Sequence, residues 1–381
     1  LYKSFQLFLL MPVFLFLLVK PLSASENDSY TRRFEPLPDQ TDFLNRKVNE
    51  FLKKAVDKTN YQTRKLTLLI NNSAEPKTDQ YHCNSELLYF IIRTQLARPV
   101  VGQLESLVDE LPKKESRKVS FEESIYQDFT IAETPTLSGV KKMGSLVRMQ
   151  DSIVGADKFG HFFSEGWTYF SVSYADEPHI EAALLFGEIS ESVLFGALTT
   201  GVYSYGDLTA NFNGMRFWND ILGLHPDVLD SAKMPAPYIQ CTNNRWKIVR
   251  EFDWRDYVDA AWDEGINCSS FRNDVLQKKV SSRIDFLNQS KKQNRRCPLE
   301  PGKIEPLRKK YGEYSGHLLN SKGHTILAEH LQPKILLDKY WKNRMQKSEP
   351  KWKTDLFNLI ELRLKELQNS TYYQNIISRH F

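Results

Sequence analysis

The residues best equipped for chemistry fall in three short polar motifs between positions 155 and 214. The first is Gly-Ala-Asp-Lys-Phe-Gly-His-Phe-Phe at 155–163. Read as a helix over 156–174 at about 100° per residue, it puts Asp157, His161, Ser164 and Thr168 on one face and Glu165 at the margin. Phe159, Phe162, Phe163, Tyr169 and Phe170 fall mostly on the other face. A second helix, expected over 178–203 with Pro178 in its first turn, aligns Leu184, Glu188, Glu191, Phe195 and Val202. Two carboxylates therefore interrupt an apolar stripe. A third helix, over 205–222, brings Asp207, Asn211 and Gly214 into line.

Carboxylates and an imidazole on facing helices are what a bundle uses to hold a metal ion or to run acid–base chemistry. The candidate catalytic residues are Asp157, His161, Glu188, Glu191 and Asp207. Of these, Asp157, His161, Glu191 and Asp207 are the first choice of ligands for a hard or borderline divalent metal. Lys158, Glu165 and Asn211 are the candidate binding residues, with Asn211 placed to orient a ligand or water. The plain alternative is an amphipathic helix whose polar face meets water. Against it, the 157/161/164/168 face lacks the long Lys and Glu side chains of a solvated stripe. A carboxylate buried on the second helix would need a partner, and Lys158 and His161 are available.

These motifs also carry a resemblance. Asp157-Lys158-x-x-His161-Phe162, a following helix with Glu188 and Glu191, and Ser204-Tyr205-Gly206-Asp207 with Asn211 and Gly214 resemble, in that order, the VanZ-like and YfiM-like bacterial families. The likeness spans about 60 of the 381 residues. It implies an α-helical core and a bacterial envelope location, and no established reaction. VanZ-like proteins are associated with resistance to glycopeptide or lipopeptide antibiotics and have transmembrane helices. The matching segments here are too polar for that, so the chain lies nearer the YfiM-like form.

Other catalytic templates are missing: the sequence has no Gly-x-Ser-x-Gly elbow, no P-loop and no His-Glu-x-x-His. His317 and His324 do not complete a serine-esterase block, because Tyr314 and Ser321 stand where its Asp belongs.

The elements that must position the motifs read as mainly α: a helical bundle core with irregular, short-stranded flanking segments. Helical apolar spacing recurs at 42–60, 85–97 and 102–111. Residues 65–70 suit a short strand or a further helix, and 119–131 is ambiguous. Pro226, Pro235 and Pro237 lead into an aromatic stretch at 246–262, and Leu356, Ile360, Leu364 and Leu367 stripe a last helix. The expected divisions are a signal peptide at 1–25, a mostly helical region at 26–150, the motif-bearing core at 151–235, and a basic helical region at 236–381 packed with the core as one domain.

Export is expected from Lys3, an apolar run over 5–19, and the small residues Ser23-Ala24-Ser25. An uncleaved N-terminal membrane anchor is the alternative, and with no Cys nearby a lipid anchor is not expected. The protein is thus read as periplasmic or secreted. Cys83, Cys241, Cys268 and Cys297 then suggest two disulfides, with three pairings open. An aromatic content of 12% favours a packed globule over disorder.

Charge is unevenly spread. Residues 278–310 hold eleven Lys or Arg against Asp285, Glu300 and Glu305. That run reads as a solvated connector, or as a peripheral contact with anionic lipid headgroups or polysaccharide. Nucleic acid is not an expected partner. Two functions follow as expectations: an exported envelope protein binding a lipid-like or envelope partner, and a metal-dependent hydrolase of lipid or cell-wall phosphoesters.

Overall fold

The computed structural model describes residues 26–71, 83–97, 102–174, 179–194, 196–333 and 335–336. The expected signal peptide at 1–25 and the expected helix over 356–367 lie outside them, as does Phe195. The fold is mainly helical with several small sheets.

Helix α1 (Thr41–Asn71) runs through the segment that suited either a strand or a new helix. Its Leu44, Val48, Leu52, Ala55 and Val56 recur at helical spacing and are buried. It packs on α2 (Ser85–Leu96), which Asn84 caps by accepting a hydrogen bond from the Leu87 N–H at 2.8 Å. After α3 (Gln103–Asp109), the strands β1 (Arg117–Lys118), β2 (Ser145–Met149) and β3 (Ser152–Gly155) form an antiparallel sheet. Turns fill the ambiguous stretch at 119–131.

The two motif helices that meet each leave the end of a strand. β3 delivers the chain into α4 (Asp157–Gly160), a π-turn at His161–Glu165, and α5 (Gly166–Ser173). β4 (Val202–Tyr203) delivers it into α7 (Tyr205–Asp220). Between them, the expected 178–203 helix is shorter: α6 (Ile180–Ile189) passes into a second π-turn at Ser190–Leu194.

The phenylalanines set opposite the polar face form the core. Phe162 packs against Phe163, Phe217, Trp254, Tyr257 and Trp262, so the aromatic stretch at 246–262 closes over the first motif helix. α5 and α7 approach most closely at Gly166 and Gly214. A β-carbon on Gly214 would lie 2.0 Å from the Phe162 carbonyl oxygen. One buried cluster draws on residues from Leu44 to Leu336, so the regions set apart in the sequence share a core.

The basic run is a structured part of the protein, and most of its Lys and Arg residues are exposed. It contains most of the helix Asp274–Lys291 and almost all of Ile304–Tyr311, and Arg295 within it is buried. Cys83 pairs with Cys241, and Cys268 with Cys297. Two disulfides suit an oxidising, exported location. Among the described residues, no helix is long and apolar enough to cross a membrane.

Candidate functional site

Lys158 is the centre of the site. It points inward from the first turn of α4 and is completely buried. Its ammonium lies 2.9 Å from Asp157 Oδ2, 2.5 Å from Asp207 Oδ1 and 2.7 Å from Glu264 Oε1. Burial disfavours the charge, but the three carboxylates outweigh it and hold the Lys158 pKa well above its ordinary value.

Each carboxylate is fixed by local structure. Ser204 caps α7 by accepting from the Asp207 N–H at 3.2 Å, so Asp207 sits in the first turn, where the helix dipole favours a negative charge. The same hydroxyl donates to Glu264 Oε1 at 2.6 Å. Glu264 comes from a loop held by its neighbour Asp263, which takes both Arg33 guanidinium N–H groups at 2.7 and 2.8 Å. Asp157 Oδ1 accepts from the Lys158 backbone N–H at 2.8 Å.

His161 forms the outer edge. Its Nε2 lies 3.2 Å from Asp207 Oδ2, and its Nδ1 lies 3.1 Å from Asn211 Oδ1 and 3.9 Å from Glu165 Oε2. Burial would lower its pKa, but Asp207, Glu165, Glu191 and Asp157 together raise it to about 9. The His161 and Glu165 side chains keep 17% and 24% exposure, so this edge is open to water while Lys158 is not.

Further acids surround this centre. Glu191 is buried and accepts from the Ser204 N–H at 2.9 Å; burial and then Asp207 push its pKa well up. Burial also raises Glu105 to about 8, assisted by Asp157, and Glu26 to about 8, assisted by Glu264. Burial is the largest cause of the raised Asp157 pKa as well, opposed by Lys158. Near neutral pH Glu26 and Glu105 therefore keep their protons, and the charged pairs of the centre are those Lys158 makes with its three acidic partners.

The structure therefore unites Asp157, Lys158, His161, Glu165, Glu191, Asp207 and Asn211. It separates Glu188, which instead meets His317 Nδ1 at 2.7 Å. The physical reason is the π-turn that starts at Ser190: an added residue in the turn breaks the regular spacing that put Glu188 and Glu191 on one face. Glu264, Glu105 and Glu26 were not among the sequence candidates. The acidic pair Asp263-Glu264, set between Trp262 and Gly265 in an apolar stretch, was a usable signal for the first; Glu105 and Glu26 had none.

Chemically, Asp157, His161 and Asp207 each offer a ligand atom, and these atoms lie within 4.8 Å of one another. Lys158 occupies Asp157 Oδ2 and Asp207 Oδ1, while Asp207 Oδ2 faces His161. No family model, curated protein or solved structure matches the chain.

Proposed function

We propose that this is an exported cell-envelope protein whose helical core holds a divalent cation at Asp157, His161 and Asp207 and hydrolyses lipid or cell-wall phosphoesters. The observation that carries the reading is the 3.2 Å separation of His161 Nε2 and Asp207 Oδ2. Two ligands at about 2.1 Å from an ion in tetrahedral geometry stand about 3.4 Å apart. The spacing suits a shared ion as well as it suits a direct contact.

A cation held by Asp157, His161 and Asp207 would supply Lewis acidity for water activation and for a phosphoryl oxygen. Glu165, on the exposed edge, would serve as the proton acceptor of the site. Lys158 keeps Asp157 and Asp207 in position from behind, and Asn211 fixes the His161 ring through Nδ1.

Kinship with the VanZ-like and YfiM-like families belongs to the same proposal. It is supported by the meeting of residues from all three motifs, Asp157-Lys158-x-x-His161, Glu191 and Asp207-x-x-x-Asn211, in one place. A non-enzymatic envelope role is the second reading. It is favoured by the closed ring of Lys158 and three carboxylates, which is a complete structural network by itself.

Hydrolysis of bis-p-nitrophenyl phosphate by the purified protein, with Mn2+ or Zn2+ added after chelation, separates the two. The hydrolase reading expects cation-dependent turnover that His161→Ala and Glu165→Gln both reduce. Equal, cation-independent background in wild type and both variants would leave the non-enzymatic reading.

A further inference from the structure

We propose that Asn27 is a fourth ligand of the cation centre, supplying a neutral carbonyl oxygen beside Asp157; the inference rests on the cation reading above. Its starting point is a segment far from the three motifs. Residues 26–31 are buried from end to end, although five of the six are polar or charged.

The segment is tied down by hydrogen bonds on every side. The Asp28 carboxylate accepts from the Tyr30 and Thr31 N–H groups at 2.8 and 2.9 Å, the Thr31 hydroxyl at 2.5 Å and the Ile125 N–H at 2.9 Å. The Glu26 carbonyl accepts from the Gly144 N–H at 3.0 Å, and the Asn27 carbonyl from the Tyr126 hydroxyl at 3.3 Å. Tyr30 donates its hydroxyl to the Glu264 carbonyl at 2.5 Å, linking the segment to the loop that carries a Lys158 partner. Its backbone thus fixes where the Asn27 side chain points.

That side chain breaks the pattern. Asn27 is 1% exposed, yet neither Oδ1 nor Nδ2 of its carboxamide has a hydrogen-bond partner. Leaving a buried amide unpaired is costly, and such a group in a folded protein calls for a water or an ion. The carboxamide lies beside Asp157. A β-carbon on Gly155 would lie 2.3 Å from Asn27 Nδ2 and 2.5 Å from Asp157 Oδ1, so both tips crowd the place a side chain there would take and lie next to each other. Only glycine at 155 admits both tips. Turning the carboxamide over exchanges Oδ1 and Nδ2 without changing its shape.

With Asn27, the donor set becomes three oxygens and one imidazole nitrogen, which suits a hard or borderline divalent ion such as Mn2+. The ion would then tie residues 26–31 to α4 and α7, coupling cation binding to docking of this segment.

Calorimetric titration of the full chain with Mn2+, paired with hydrogen exchange over 26–31, tests this. Wild type should bind Mn2+ and show slower exchange in the segment when loaded. Asn27→Ala should weaken binding by roughly tenfold or more, the loss typical of a group that supports a metal site, and should lose the added protection. Asn27→Asp replaces the amide oxygen with a charged one and should bind more tightly. It also serves if Asn27→Ala does not fold. Affinity unchanged in Asn27→Ala or in Asn27→Asp, with binding abolished in His161→Ala, would overturn the role of Asn27 and leave the cation reading standing. No Mn2+ binding by wild type would overturn both.

Discussion

The Lys158 ammonium and Asp207 Oδ1 lie 2.5 Å apart in an interior closed to water, joining the first and third motifs through one ion pair. Asp157 and Glu264 complete the ring. Removing the cation from such a ring strands charge, whereas removing an exposed pair costs little. Lys158→Met should therefore destabilise the fold by about 3–5 kcal/mol, read as a lower denaturant midpoint. Lys158→Arg should not restore stability, since a planar guanidinium does not match three carboxylates converging on one point. Wild-type stability in Lys158→Met would contradict this account of the centre.

Gly214 offers a case in which packing overrides helix propensity. On propensity alone, alanine within α7 should gain about 1 kcal/mol. Here its β-carbon would meet the Phe162 carbonyl at 2.0 Å and the Gly166 α-carbon at 2.9 Å. Gly214→Ala should lower the thermal midpoint and weaken cation binding, because α7 must move away from the helix that carries His161. A raised midpoint would show that the helices can separate freely.

The buried acids give stability a pH dependence of defined sign. Glu26 and Glu105 titrate at about 8 when folded, and His161 at about 9. The unfolded carboxyls titrate near 4.5, and unfolded imidazole near 6.5. Between pH 6.5 and 8 the folded protein thus holds more protons than the unfolded chain, and stability falls as pH rises. His324, lowered to about 4 by burial, has the opposite sign but acts below this window. Denaturant titrations at several pH values should show the decline, and Glu105→Gln should make it shallower, by up to about 1.4 kcal/mol per pH unit. Stability rising over this window would contradict the assignment.

The two disulfides should differ in weight. Cys83–Cys241 spans a sequence separation of 158 residues and Cys268–Cys297 one of 29. By chain entropy they contribute about 5 and about 3.5 kcal/mol. The shorter link also lies beside the Glu264 loop, where Leu299 donates its N–H to the Gly265 carbonyl at 2.8 Å. Paired Cys→Ser variants should therefore rank the first link higher for stability, while loss of the second should disturb the charged centre more, read as weaker Mn2+ binding.

Much of the centre was legible because helical spacing brings like chemistry to one face. The helix wheel put Asp157 and His161 on one face and Asp207 and Asn211 on another, the fold brings the two faces together, and the Phe159, Phe162 and Phe163 face goes into the core as apolar residues should. Glu188 was misplaced because a wheel assumes constant pitch, and a π-turn begins two residues after it. Glu264 lies in a loop without periodicity and reaches Lys158 only through tertiary folding. Asn27 was hidden differently: a short polar segment without apolar spacing gives no sign of burial, which its Asp28-centred hydrogen bonds make tolerable. The small sheets were visible only as irregular flanks, because strands of two to five residues leave no alternation to detect.

Everything proposed for the centre turns on whether Asp157, His161 and Asp207 share a cation. Elemental analysis of chelator-stripped protein, after incubation with Mn2+ or Zn2+ and desalting, tests it most directly. Stoichiometric metal is expected in wild type and little in His161→Ala or Asp207→Asn, with both variants shown to be folded by circular dichroism. Metal-free wild type, or equal metal in all three proteins, would contradict it and leave the Lys158 ring as a purely structural network.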